Sequence, residues 1–239
     1  MQLYFQEIQR LLHVVSEKEK KSIEKASEII VNSFKNGGIL QLFGCGHSHL
    51  LAQDAYYRAG GLVPVRPIII EDIMLHTGAL NSSKNEKDPT FIQKHAHKFA
   101  FEKNDILIII STSGRNNAPI DVALLAKKAG ITVISLQSLE YTEQLSRHKS
   151  KKRLEEVVDL ILNTHIPVGD GLLSHQGVQY GPASTVVGSA ILNALYSQVI
   201  ANLSNKVEIL PVFESANVSS DQSHNNAMIE NYKSRIDFK

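Results

Sequence analysis

The stretch 105-DILIIISTSGRNNAPIDVALLAKKAGITVISLQ-137 sets two short apolar runs on either side of one helical pattern. The first run, Ile106–Ile110, has no polar alternation, which suits a central strand buried on both faces. The second, at 131–136, is equally short and β-rich. Between them 117–128 carries helical spacing, and Pro119 falls in its first turn, where a missing N–H costs little.

The same alternation extends in both directions. Further apolar runs stand at 39–43, 65–70 and 157–162, and further helical patterns at about 48–59 and 91–101. Short strands alternating with helices imply a parallel sheet covered on both sides. The expected fold is therefore α/β, a three-layer αβα sandwich around a central parallel five-stranded sheet, with N-terminal and C-terminal helices added. Residues 1–36 repeat apolar side chains at three- and four-residue steps until Asn36, Gly37 and Gly38 stop them. Within them the charge run Glu17–Lys21 reads as a solvated face or as a junction between two helices. Late helices are expected at about 184–203 and 224–234. The polar segments 77–90 and 138–153 read as surface loops or a lid.

Length and composition bound the rest. The 239 residues, 43% apolar, suffice for one domain over 1–239, divided into a helical segment 1–36, a core 38–204 and a C-terminal extension 205–239. Net charge is +1, so no global field draws the chain to nucleic acid or to an anionic membrane. One cysteine excludes an intramolecular disulfide framework and multi-cysteine zinc sites, and fits a reducing cytoplasm. The start reaches charged residues early and has no apolar h-region, so neither export nor membrane spanning is expected.

In an open α/β sheet ligands sit beyond the carboxyl ends of the strands, which singles out the turns after 39–43 and 106–110. The first is Gly44-Cys45-Gly46-His47-Ser48, whose glycines permit close backbone approach and whose Ser48 can cap a helix or bind an anion. The second is Ser111-Thr112-Ser113-Gly114-Arg115-Asn116. Its three hydroxyls, glycine and asparagine surround one helix N-terminus, and hydroxyls, free amides and a positive helix end are what a phosphate monoester needs. Capping alone would account for either turn; two on neighbouring strands point to a shared anion site.

Other readings of the first turn fail in particular ways. A dinucleotide fingerprint needs a third glycine where His49 stands, and a P-loop needs a lysine that is absent. His47 and His49 are two apart and do not share a helix face, so no metal is expected. Cys45 between glycines reads as a small turn residue unless a base lowers its pKa.

Three motifs, GCGHS at 44–48, ISTSGRNNAPIDVALLAKKAGITVISLQ at 110–137 and YGPASTVVGSAILNAL at 180–195, resemble the SIS (sugar isomerase) domain family over about residues 38–204. The resemblance implies a phosphate cradle of Ser48, Ser111, Ser113 and Asn116, with Thr112 contributing, and sugar contacts from Ser184 and Thr185. Asn116 replaces the family's usual threonine. Asp54 and Arg58 stand where phosphoheptose isomerases carry a histidine and a glutamate, and Gln179 where the glucosamine-6-phosphate enzyme has an acidic residue. The resemblance also implies a phosphorylated sugar as ligand, amino- or N-acetylated, handled without a cofactor by a homodimer or higher homo-oligomer. Isomerisation or related lyase chemistry is one expectation; a non-catalytic phosphosugar sensor is the other.

Isomerisation needs a base beside C2. Glu71 follows the run Pro67–Ile70 at the end where an α/β site forms, with Asp72 and His76 beside it. The polar C-terminal stretch 213–232 offers His224, which either projects into a site or belongs to an ordinary loop before a last helix. Glu71 and His224 are the catalytic candidates, while His165 and Asp170 are weaker ones that read first as turn formers.

Overall fold

A computed structural model of the chain describes residues 1–218 and 221–239. Five parallel strands form its sheet: β1 (Leu40–Gly44), β2 (Val65–Pro67), β3 (Ile106–Ile110), β4 (Thr132–Gln137) and β5 (Leu160–Asn163), in the spatial order β2-β1-β3-β4-β5. Leu40 pairs with Ile106 and Ile106 with Thr132, so the three middle strands end at nearly one level. That common end is where the two glycine- and serine-rich turns emerge.

The unbroken apolar strands are explained by two cores. Ile106, Ile108 and Ile110 point into one, shared with α1 (Gln2–Lys18), α2 (Lys20–Lys35) and α7 (Ser184–Leu203). Leu107 and Ile109 point into the other, against Ala118, Val122 and Ala126 of α6 (Asn117–Lys128). Side chains alternate across a strand, so a residue sequence with no polar positions requires a hydrophobic layer on each side. The expected αβα sandwich is thus present. By length and composition α7 could cross a membrane, and its buried residues, among them Val187, Ile191 and Leu195, pack into the first core.

The charge run at 17–21 is a junction. Its Glu19 is buried, accepting from the Asn163 amide at 3.3 Å and meeting His165 Nε2 at 2.8 Å, which ties the helical hairpin to the end of β5. The run at 65–70 is a strand only to Pro67. Proline has no N–H for the ladder, and β2 lies at the sheet edge, where this is tolerated. Ile68 and Ile70 remain buried as the chain turns away into a 3-10 turn at Glu71–Ile73.

Three stretches depart from expectation. Segment 77–90 contains a helix, α4 (Ala79–Lys87), and only the short α5 (Phe91–Lys94) and a 3-10 turn occupy the helical pattern at 91–101. Helix α4 has no apolar stripe. It is held by Ser82 Oγ donating to the Ile73 carbonyl at 2.7 Å and Asn85 Nδ2 donating to the Asp72 carbonyl at 2.8 Å. A hairpin of β6 (Gly171–His175) and β7 (Val178–Pro182) precedes α7, turning through Gln176 and Gly177, both at positive φ as a two-residue hairpin loop requires. The last helix, α8 (Ser223–Tyr232), follows a Leu62–Val212 bridge at the opposite end of the sheet from the two turns.

Candidate functional site

Strand β1 hands over to α3 (His47–Asp54) within two residues. Such a tight turn brings the Ser48 and His49 backbone against Gly44, where a Cβ would stand 2.6 Å from Ser48 and 2.9 Å from the His49 nitrogen. The turn is also fixed from outside, since the Gly46 amide donates to the Ile73 carbonyl at 2.9 Å. Cys45 is buried there, and burial together with Glu86 holds its thiol well above the ordinary range. It is a packed turn residue. His49 is buried too, and desolvation holds its pKa below the usual value, against the pull of Glu71.

The turn after β3 is organised differently. Four successive carbonyls face away from the sheet end and are taken up by segment 138–154: Thr112 by the Ser138 amide at 2.9 Å, Ser113 by Arg153 Nη2 at 2.6 Å, Gly114 by the Leu154 amide at 2.9 Å, and Arg115 by the Arg147 amide at 2.9 Å. The amides of Thr112, Ser113, Arg115 and Asn116 donate to no acceptor among the described residues. Gly114 sits at φ +59°, and a side chain there would meet Gln137 at 2.9 Å. The segment read as a surface loop is therefore the outer clamp of this turn.

Both turns open into a cleft of about 600 Å³. Ser48, Ser111, Thr112, Ser113 and Asn116 line it together with Ser184 and Thr185. The sequence-selected binding residues are thus brought to one place. Two of them are engaged within the chain. Asn116 Nδ2 donates to Glu86 Oε1 at 2.8 Å while its Oδ1 accepts from Arg147 Nη1 at 2.7 Å, and Ser184 Oγ donates to Asp170 Oδ2 at 2.8 Å.

The catalytic candidates are not brought there. Glu71 lies at the correct end of the sheet, but its exposed side chain pairs with His76 Nε2 at 2.8 Å outside the cleft lining. His224 is at the other end, its Nε2 held by the Val212 carbonyl at 2.8 Å. A strand-end position fixes the end of the sheet, not the direction of a side chain. Asp54 and Arg58 pair with each other beyond the far end of α3.

Two carboxylates do line the cleft: Asp170, which the sequence offers only as a weaker candidate, and Glu86, which it does not single out. Asp170, at φ +67°, accepts from the Ala183 amide at 3.1 Å and the Ser184 amide at 2.7 Å, so it caps α7 from outside the helix. Glu86 projects from α4, and burial raises its pKa against the opposing effects of Asn116, Lys87 and Arg147. No lysine or arginine is among the lining residues, so positive potential comes from the N-terminus of α6.

The SIS domain model matches residues 3–138. The UPF0309 protein "in nagA 3′ region" of Lysinibacillus sphaericus is 50% identical over 238 residues, covering 100% of this chain and 98% of that protein. A UPF0309 protein of Geobacillus thermodenitrificans is 48% identical, covering 98% and 95%. Among solved structures, a phosphoheptose isomerase of Neisseria gonorrhoeae superposes with a TM-score of 0.56 at 17% identity, covering 82% of this chain and 95% of that one. The NanR protein of Vibrio vulnificus, solved with ManNAc-6P, superposes at 0.52 and 17% identity, covering 98% and 67%. At such identities the superpositions speak for the fold, while the family model and the close relatives speak for descent: the chain belongs to the SIS domain family.

Proposed function

We propose that the cleft binds a phosphorylated sugar, with the phosphate at the α6 N-terminus, and that the protein is a sugar-phosphate isomerase or related lyase. One observation carries this reading. Four amides of the 111–116 turn are unspent while the carbonyls of the same turn are anchored outside, so a dianion can be met without rearranging the backbone. The hydroxyls of Ser48, Ser111, Thr112 and Ser113 add donors, and Asp170 and Thr185 stand at the sugar end. The ManNAc-6P held by NanR on the same fold supports a phosphorylated sugar as the ligand. Glu71 and His224, lying outside the cleft, favour a second reading: a phosphosugar sensor without turnover.

The test is thermal stabilisation by a panel of pentose, hexose, hexosamine and N-acetylhexosamine phosphates. At least one should raise the unfolding temperature, and Ser113→Ala should weaken its binding about tenfold, as expected for one hydrogen bond to a charged group. Stabilisation by none of them, or full stabilisation of Ser113→Ala, would reject the phosphate site.

A further inference from the structure

We infer that Glu86 is the proton-transfer group of this cleft, and that Asn116, held in turn by Arg147, positions it. The inference rests on the phosphosugar reading and assigns the step that Glu71 and His224 are too far displaced to perform within one chain.

The carboxylate stands on the α4 wall, facing the N-terminus of α6 across the same space lined by Ser111, Thr112 and Ser113. Its Oε1 is fixed by Asn116 at 2.8 Å, and Oε2 makes no hydrogen bond with the described residues. The orientation of the Asn116 amide is forced. Arginine offers donors only, so the carbonyl oxygen of Asn116 must face Arg147, which leaves the NH₂ for Glu86. Asn116 therefore gives up its place as a helix cap, and makes no side-chain cap bond, in order to tie a cation on one side to a carboxylate on the other.

The other protonatable groups lining the cleft, His47, Asp170 and Cys45, are less suited: His47 is exposed, with no side-chain hydrogen bond among the described residues to orient it. Asp170 has both oxygens committed to α7, and the Cys45 thiol is buried and disfavoured as an anion. Glu86 keeps one oxygen open, and burial raises its affinity for a proton, the direction that favours a general base. The groups that face it are Cys45 from the first turn, Arg147 from the clamping segment, Asn116 from the second turn and Lys87 from its own helix.

The step conserves atoms and electrons. Oε2 takes the proton from C2 of an open-chain aldose phosphate; the C–H pair becomes the C1=C2 bond and the carbonyl pair moves to O1. The resulting enediolate passes the O2 proton to O1, takes the Glu86 proton back at C1, and leaves as the ketose with its carbonyl at C2. No oxidant or added reactant enters.

The experiment is deuterium exchange at C2 in D₂O, followed by NMR, with the sugar phosphates that stabilise the protein. Wild type should exchange at least one of them, and Glu86→Gln should exchange it about 10²–10⁴-fold more slowly while still being stabilised by it. Glu86→Asp should restore part of the rate. Because the Asn116 amide favours the ionised carboxyl, Asn116→Ala should move the acid limb of the rate profile to higher pH, a shift that a merely structural role would not produce. Exchange by Glu86→Gln at the wild-type rate, or an unmoved limb in Asn116→Ala, overturns the assignment even if one variant folds poorly. Stabilisation of wild type without any exchange overturns it and leaves the binding reading standing. Absence of stabilisation in wild type removes the binding reading itself.

Discussion

Helices α6 and α7 both point their N-termini into one cleft, and they are finished in opposite ways. At α7 a carboxylate from outside the helix, Asp170, takes the Ala183 amide, the Ser184 amide and the Ser184 hydroxyl, so its positive end is already neutralised. At α6 the residue in the capping position turns its side chain aside, and the preceding turn keeps four amides unspent. A helix N-terminus is thus not by itself an anion site. To serve as one, as proposed for α6, it must withhold its own acceptors, and here that goes with a partner for the carbonyls of the same turn.

Arg153 is the centre of that partner segment, and its removal tests the comparison most severely. Its guanidinium, nearly buried, donates to the Ser113 carbonyl, to the Gln144 carbonyl at 2.5 Å and to Glu155 Oε1 at 2.5 Å, while Glu155 Oε2 accepts from Gln137. Arg153→Ala would take the cation from a largely buried carboxylate and the donor from two carbonyls. A loss of about 3–5 kcal/mol in urea unfolding is expected, together with loss of sugar-phosphate stabilisation. If binding persists unchanged at temperatures where the variant is folded, anchoring of the carbonyls is not what keeps α6 open.

The α7 end gives the intermediate effect. Asp170→Ala strips the Ser184 amide and hydroxyl of their acceptor and leaves the Ala183 amide only the backbone carbonyl of position 170 at 3.2 Å, at a site only partly open to water, which should cost about 1–3 kcal/mol in the same measurement. Unchanged stability would show that water caps α7 equally well, and the contrast between the two helices would then concern charge alone.

How far this arrangement could be read from sequence depends on where each signal originates. The run Ile106–Ile110 announced a doubly covered strand because both its faces need an apolar layer, and the hydroxyls of 111–113 announced a polar helix start because both signals are local. Helix α4 was illegible. Its residues, ALNSSKNEK, have no apolar period, and its shape comes from Ser82 and Asn85 reaching back to carbonyls nine and thirteen residues away. Glu86 inherited that invisibility, being placed in the cleft by a helix that propensity does not predict. Asp170 looked like a turn former and is one, at positive φ, but its capping role depends on Ser184, fourteen residues on across an unforeseen hairpin. His224 stands away from the cleft of its own chain for a topological reason: polar density along the chain does not say which end of a sheet the chain has reached.

The smallest expected effect separates charge from hydrogen bonding at α7. In Asp170→Asn the side-chain oxygen can still accept from the Ser184 amide, and the Ser184 hydroxyl, which both donates and accepts, can turn to receive the new NH₂ group. Most of the cap is therefore kept, and what is lost is one negative charge facing a helix N-terminus, a contribution of about 0.3–1 kcal/mol. The same loss removes a carboxylate from the wall of the cleft in which we propose a dianion at the other end. Inorganic phosphate should consequently bind Asp170→Asn more tightly than wild type by a few-fold, and the difference should shrink as salt is raised, because an open cleft is screened. Titration calorimetry at low and high ionic strength measures both. Equal affinity at low salt would mean that the Asp170 charge is already cancelled by the α7 dipole as seen from α6, and the two helix ends would then be electrically independent despite sharing one cleft.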